Sequence, residues 1–224
     1  MPIIEDAKKL AERMTGIGRP GELSNLVRER KPATFRFKDD GTVPNHPRWP
    51  LIHYRGPVAL PNGVDPAAVF EGLFERNGWA DSWRNGVYNY LHYHSRIHEV
   101  MGVARGTAVV RFGGRRGRKL RVKAGDVVVL PAGTGHQCLS TSKDFLVVGA
   151  YSATGTYDVC RASPEEYARA VKTVPKVVPA PRSGLWQGRQ PSKALEPRSK
   201  GRCMTRPCHG VRSLRHQGGM KRRS

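Results

Sequence analysis

Four side chains in the middle of the chain could meet at one metal ion: His92, His94, Glu99 and His136. In an extended strand alternate side chains share a face, so Tyr88, Tyr90, His92 and His94 point one way while Val87, Asn89, Leu91 and Tyr93 point the other. Two neighbouring ring nitrogens are thereby aimed at one point. Glu99 has the opposite parity and joins them only if the chain turns first, for which Ser95-Arg96 is the place. His136 has to come from a later strand, delivered by the corner Pro131-Ala132-Gly133. Three imidazoles and a carboxylate suit a divalent transition metal (Fe, Mn, Ni, Co or Zn), and around a six-coordinate ion they leave positions open.

The intervals around these residues form two motifs. The first runs Gly86, five residues, His92-Tyr93-His94, four residues, Glu99, six residues, Gly106; the second runs Gly125, five residues, Pro131-Ala132-Gly133, two residues, His136. They resemble the two signature motifs of the cupin superfamily. The match fails only at the last position, where Ser140 stands for the usual Asn. The resemblance covers roughly residues 33–175 and is to single-domain, bacterial-type cupins with an RmlC-like jelly roll. It implies an all-β fold, the cupin double-stranded β-helix or jelly-roll barrel, with a few short flanking helices. It also implies the metal ligands His92, His94, Glu99 and His136.

Because cupins host oxygenases, isomerases, decarboxylases, storage proteins and regulators, the fold by itself selects no reaction. The ligand set favours a metal-dependent small-molecule enzyme, with oxygenase-like (dioxygenase, oxidoreductase) chemistry foremost and isomerase chemistry next. The alternative is a non-catalytic small-ligand-binding or sensor cupin. Tyr88 and Tyr90 are the catalytic candidates, lining the cavity as donors or proton-transfer groups, or else packing there as interior aromatics. His98, beside Glu99, is a partner of the ligands, a substitute for one, or structural. Cys138 shares the strand parity of His136, so it faces the same interior and could approach the metal or be oxidised beside it.

A scaffold of short strands must position these groups. Alternation and turn residues predict strands over Gly86–His94, His98–Val103, Ala108–Phe112, Lys119–Val122, Val127–Leu130, His136–Leu139 and Phe145–Tyr151, preceded by Thr34–Phe37 and Leu51–Tyr54. Asp65-Pro66 opens a helix closed by Asn77-Gly78, with Val69, Phe70, Leu73 and Phe74 as its apolar stripe. Ser163-Pro164-Glu165-Glu166 is a capping-box start for a second helix, through about Lys172. His46 and His53 lie outside the signature spacing and read as packing or surface residues. The basic run Arg115 to Lys119 reads as a solvated hairpin tip.

The division of the chain follows from composition. Residues 1–33 read as a flexible N-terminal extension containing a helical stretch, Glu5 to Met14, and 34–175 as the cupin barrel domain. The literal G-x-G-x-x-G of Gly16 to Gly21 lacks the preceding strand of a dinucleotide loop and is interrupted by Pro20. Residues 176–224 read as a basic, disordered C-terminal tail. The net charge of +21 divides as +3 over residues 1–50, +7 over 51–181 and +11 over 182–224, so its excess belongs to the tail and not to the barrel. That tail is either an arm for anionic partners, touching nucleic acid non-specifically, or a stretch read out of frame. Cys203 and Cys208-His209 are half of a zinc knuckle at most. No apolar run reaches the roughly 18 residues of a membrane helix, and the N-terminus has no secretory pattern. A soluble, cytoplasmic protein with reduced cysteines is expected. It would act on a small-molecule substrate as a homodimer.

Overall fold

The computed structural model describes residues 20–180. Two antiparallel sheets dominate it, and three short helices pack around them, the jelly-roll arrangement expected from the motifs. The order is helix α1 (Pro20–Asn25), strands β1 (Ala33–Phe35) and β2 (Leu51–Tyr54), helix α2 (Pro66–Arg76), strands β3 (Trp79–Asn85), β4 (Glu99–Arg105), β5 (Thr107–Phe112), β6 (Arg118–Lys123), β7 (Val127–Leu130), β8 (His136–Thr141) and β9 (Leu146–Ser152), and helix α3 (Pro164–Thr173). The larger sheet has the order β1-β2-β7-β4-β9-β3 and the smaller β6-β5-β8.

The strand alternation divides the core in two. Met101 and Val103 of β4, Val128 and Leu130 of β7 and Val147 of β9 face the smaller sheet, meeting Val110, Phe112, Leu120 and Cys138. Their neighbours Val100, Ala104, Val127, Val129, Val148 and Ala150 face outward under α2 and its Phe70, Leu73 and Phe74. The central strands of the larger sheet are thus buried on both faces, which is why β7 reads Val-Val-Val-Leu without alternation. Gly102 of β4 makes room for the helix. A Cβ built there would lie 2.2 Å from Cδ1 of Phe70.

Both predicted helix starts are capped as their sequences require. The Asp65 side chain accepts from the Ala67 N–H, and Ser163 and Glu166 form the reciprocal capping box. Among the described residues, no helix is long and apolar enough to cross a membrane.

Three sequence expectations need correction. The strand predicted over Gly86–His94 lies earlier, as β3 over Trp79–Asn85. Residues 86–91 are irregular, and His92 and Tyr93 make only isolated bridges, because their partners are short local pairings and not a long neighbouring strand. Within the presumed flexible extension, of which residues 20–33 are described, Leu23, Leu26 and Val27 pack on the barrel. Leu23 is buried beneath α2, and Val27 bridges to Val58. The start of the presumed tail is engaged as well, since Val177 is buried and the Val178 carbonyl accepts from His98 Nε2. The Glu5–Met14 helix, the greater part of the Gly16–Gly21 run, the Cys203–His209 cluster and the tail beyond Ala180 lie outside the described residues.

Candidate metal centre

Backbone pairing brings the histidines together. His92 and His136 face each other in an antiparallel bridge, each donating its N–H to the other's carbonyl at 3.1 and 2.9 Å. Their rings lie 4.0 Å apart, centroid to centroid. On the other side Tyr93 exchanges the same pair of bonds with Cys160, at 3.0 and 2.9 Å. The segment 92–94 is thereby held extended between two partners, and the predicted alternation holds. His92 and His94 turn inward, while Tyr93 is fully buried the opposite way against Val43, Ala170 and Val174. The Gly133 N–H donates to the His94 carbonyl at 2.7 Å, and Gly133 itself sits at φ +81°, a left-handed conformation that favours glycine. That corner turns β8 inward at His136.

The predicted bend at Ser95-Arg96 is present, and a residue outside both motifs holds it. Oδ1 of Asp158 accepts the N–H groups of Ser95 and Arg96 at 2.9 and 3.2 Å, and Oδ2 accepts from Ser95 Oγ. The carbonyl of the same Asp158 accepts from His94 Nδ1. Past the bend, Glu99 enters β4 paired with Leu130 and Tyr151 and faces inward.

All three imidazoles share one hydrogen-bonding pattern. Nδ1 of His92 faces the Tyr90 carbonyl at 3.1 Å, Nδ1 of His136 faces the Thr134 carbonyl at 3.1 Å, and Nδ1 of His94 faces the Asp158 carbonyl. A carbonyl can only accept, so each Nδ1 carries the hydrogen and each Nε2 is left with a lone pair. One nitrogen from each ring lies within 4.8 Å of the others, and all three side chains are buried. Burial, chiefly, holds His92 down to about 4 and His136 well below its usual value, so both are neutral near pH 7. The three buried histidines are positioned to bind a metal ion.

Glu99 stands beside two of them, with Oε2 3.6 Å from His94 Nε2 and 3.3 Å from His136 Nε2. That oxygen is buried and has no hydrogen-bond partner, and burial raises the carboxyl's affinity for a proton. An orphaned carboxylate oxygen facing bare ring nitrogens is a set of lone pairs with nothing between them to satisfy. A divalent cation fits that donor set.

The four groups open onto a cavity of about 480 Å³. Trp83, Val87, Tyr88, Met101, Tyr151 and Tyr157 form much of its remaining wall. Gly149 lets Trp83 lie flat on β9, since a Cβ there would meet the indole at 2.1 Å. Arg84 is the cavity's cationic side chain, and its guanidinium is already taken by both carboxylate oxygens of Glu71, at 2.8 and 2.7 Å, and by Asp65 at 2.7 Å. Burial, with the nearby Glu99 carboxylate, keeps the Tyr151 phenol protonated well beyond neutral pH.

The sequence candidates fare differently. Tyr88 lines the cavity, 5.0 Å from His92 ring to ring. Tyr90 does not line it. Its ring is stacked on Tyr88 at 4.8 Å and lies 5.4 Å from the His92 ring, so it stays on the histidine side, while the Arg161 guanidinium covers it 4.5 Å from its centre. His98 is structural: Nδ1 accepts the Ala132 N–H at 2.9 Å and Nε2 donates to the Val178 carbonyl at 2.8 Å, which uses both nitrogens. Cys138 packs in the apolar core, its Sγ against the Ser140 carbonyl at 3.6 Å, and does not line the cavity. His46 and His53 are buried, the former stacked on Trp49 and the latter beside Asp126. Motif spacing missed Trp83, Tyr151 and Asp158. Of these, Tyr151 was reachable, because it falls on the inward parity of the predicted strand Phe145–Tyr151.

A family model described as cupin matches residues 79–174, from the start of β3 to the end of α3. The uncharacterized protein YjlB of Bacillus subtilis (strain 168) is 43% identical over 146 residues, which is 65% of this chain and 85% of that protein. Among solved structures, acireductone dioxygenase from Bacillus anthracis, with a cadmium ion in its active centre, is 15% identical with a TM-score of 0.30, over 40% of this chain and 65% of that one. A mutant of Bacillus subtilis oxalate decarboxylase is 19% identical with a TM-score of 0.32, over 51% and 28%. With both motifs set on the paired sheets of a jelly roll and a relative matched over most of its length, the chain belongs to the cupin family.

Proposed function

We propose that His92, His94, His136 and Glu99 together hold one divalent transition metal, and that the protein is a metal-dependent enzyme acting on a small molecule, with oxygenase-like chemistry. The observation that carries this reading is the orphaned Oε2 of Glu99 facing the bare Nε2 atoms of His94 and His136. When bound, such an ion supplies Lewis acidity and a place where dioxygen and a chelating substrate can meet. The chain's own residues do the rest. Trp83, Val87 and Met101 give the substrate a dry, apolar wall, and the engaged guanidinium of Arg84 offers no free charge to a strongly anionic one. A neutral or singly charged chelating compound with an apolar body fits this lining. Tyr88, at the mouth, and Tyr151, inside, hold hydroxyl protons where they can be passed to or taken from such a substrate, and Tyr90 braces Tyr88 by stacking.

The reading also includes a cytoplasmic homodimer, for which the sheet edges at β1 and β3 are the candidate surfaces. Its test is an oxygen-uptake screen of metal-loaded protein with small catechols, thiols and keto acids. Uptake with one of these classes, abolished in His94→Ala and slowed in Tyr151→Phe at unchanged metal content, is the expected result. Metal-loaded protein that consumes no oxygen with any class would leave a ligand-binding cupin in its place.

A further inference from the structure

A second and larger hollow, about 950 Å³, shares no lining residue with the histidine cavity. Its wall carries Arg28, Arg30, Arg55, Arg121 and Lys123. Among the described residues none of these five forms an ion pair with a carboxylate. The acid in the wall, Asp126, is already committed. It is 2% exposed, Oδ1 accepts the Gly56 N–H at 2.8 Å, and Oδ2 accepts the Lys123 N–H at 3.1 Å and lies 3.2 Å from His53 Nε2.

Three separate stretches deliver the cations, and each is fixed by backbone bonding. Arg28 and Arg30 sit on the segment that pairs with 57–59, where the Arg28 N–H donates to the Pro57 carbonyl at 2.7 Å and the Ala59 N–H to the Leu26 carbonyl at 2.8 Å. Arg55 follows β2 directly. Arg121 and Lys123 stand on the outer face of β6, because Leu120 and Val122 take the inner one. Asp126 bonds to the backbone at both Gly56 and Lys123, so one buried carboxylate sets the spacing between Arg55 and β6. Val58, Leu60 and Pro61 add an apolar section to the same wall.

A concave surface lined by one sign of charge concentrates counter-ions, and guanidinium forks match the oxygens of phosphate groups. We propose that this hollow binds a small molecule carrying several phosphate groups beside an apolar part, of the nucleoside polyphosphate class, with the phosphates on the arginines and the apolar part on Val58, Leu60 and Pro61. The size agrees with a small ligand, since pockets for such molecules span roughly 300–1,000 Å³. Five cations line this one hollow, and Arg121 and Lys123 share their exposed strand face with Lys119. This site is independent of the metal centre.

The test is calorimetric titration of the full chain with ATP, with tripolyphosphate and with a single-stranded oligonucleotide, at physiological ionic strength. The basic C-terminal stretch also attracts anions, so the variants Arg55→Ala/Arg121→Ala and Arg28→Ala/Arg30→Ala are compared in the full chain, where that contribution is constant. We expect about one ATP per chain, weaker binding of tripolyphosphate, and a loss of at least about tenfold in ATP affinity in both variants. Melting temperature and metal content are expected to stay unchanged, because all four arginines are exposed. Equal ATP affinity in wild type and both variants, or several weak anions bound per chain, would overturn the proposal. An oligonucleotide that binds more tightly than ATP and is weakened by the same variants would overturn it in favour of a nucleic-acid surface.

Discussion

An imidazole whose Nδ1 hydrogen is held by a backbone carbonyl has one nitrogen left to use, and three such rings here aim that nitrogen at the same small space. What keeps His94 in line is Asp158, whose carboxylate closes the bend at Ser95-Arg96 while its carbonyl takes the ring hydrogen. Asp158→Ala is therefore expected to weaken metal binding by about 10- to 100-fold with the fold retained, measured by competition with a chelating dye. An unchanged affinity would remove Asp158 from the site. The buried histidines away from the site make a separate prediction about pH. Burial pushes His46 from an ordinary 6.5 down to about 3, so as pH falls below 6.5 the unfolded chain takes up a proton that the folded one refuses. Stability is full above that value and declines as pH drops towards 3. Denaturant titrations at pH 7 and 5 should show the loss, and His46→Gln should flatten it; parallel slopes in the two proteins would contradict the assignment.

At the scale of elements, legibility followed the regularity of the backbone. β2 and β7 were predicted at their observed limits and both larger helices at their caps, because apolar runs, Asp65-Pro66 and the Ser163 box are local signals. β3 was not legible. Its sequence Trp-Ala-Asp-Ser-Trp-Arg-Asn does not alternate, since a bulge between Ala80 and Trp83, with Asp81 at φ +51°, shifts the face halfway along. The same irregularity continues into 86–91, where Tyr88 reaches the cavity and Tyr90, stacked on it and beside His92, does not line it. Asp158 lay beyond reach because it joins the site only through contacts between residues distant in sequence. Two substitutions test the packing. Gly102→Ala, which drives a methyl into Phe70, is expected to cost about 1–3 kcal/mol in chemical denaturation. Leu23→Ala is expected to cost about 2–5 kcal/mol, whereas a flexible extension would lose nothing.

For the molecule as a whole, a larger sheet whose central strands are covered on both faces makes a stiff frame, and the metal candidates sit where β4, β8 and the 92–94 segment meet inside it. A frame of this kind holds one nitrogen each of His92, His94 and His136 within 4.8 Å of the others, with Glu99 beside two of them, so binding an ion there should stabilise the fold. An ion present at about 100 times its dissociation constant adds about 2.7 kcal/mol to stability. The charge of the chain is a separate matter, concentrated beyond residue 181 and around the arginine hollow, and it has no part in this coupling. The most direct measurement is elemental analysis of anaerobically purified protein alongside His94→Ala and His136→Ala, with melting temperatures before and after metal is added. The account predicts about one transition-metal ion per wild-type chain, close to none in either variant, and a rise in melting temperature in the wild type alone. A wild-type chain with no stoichiometric metal and no thermal gain from any ion, or variants that keep the metal in full, would contradict it.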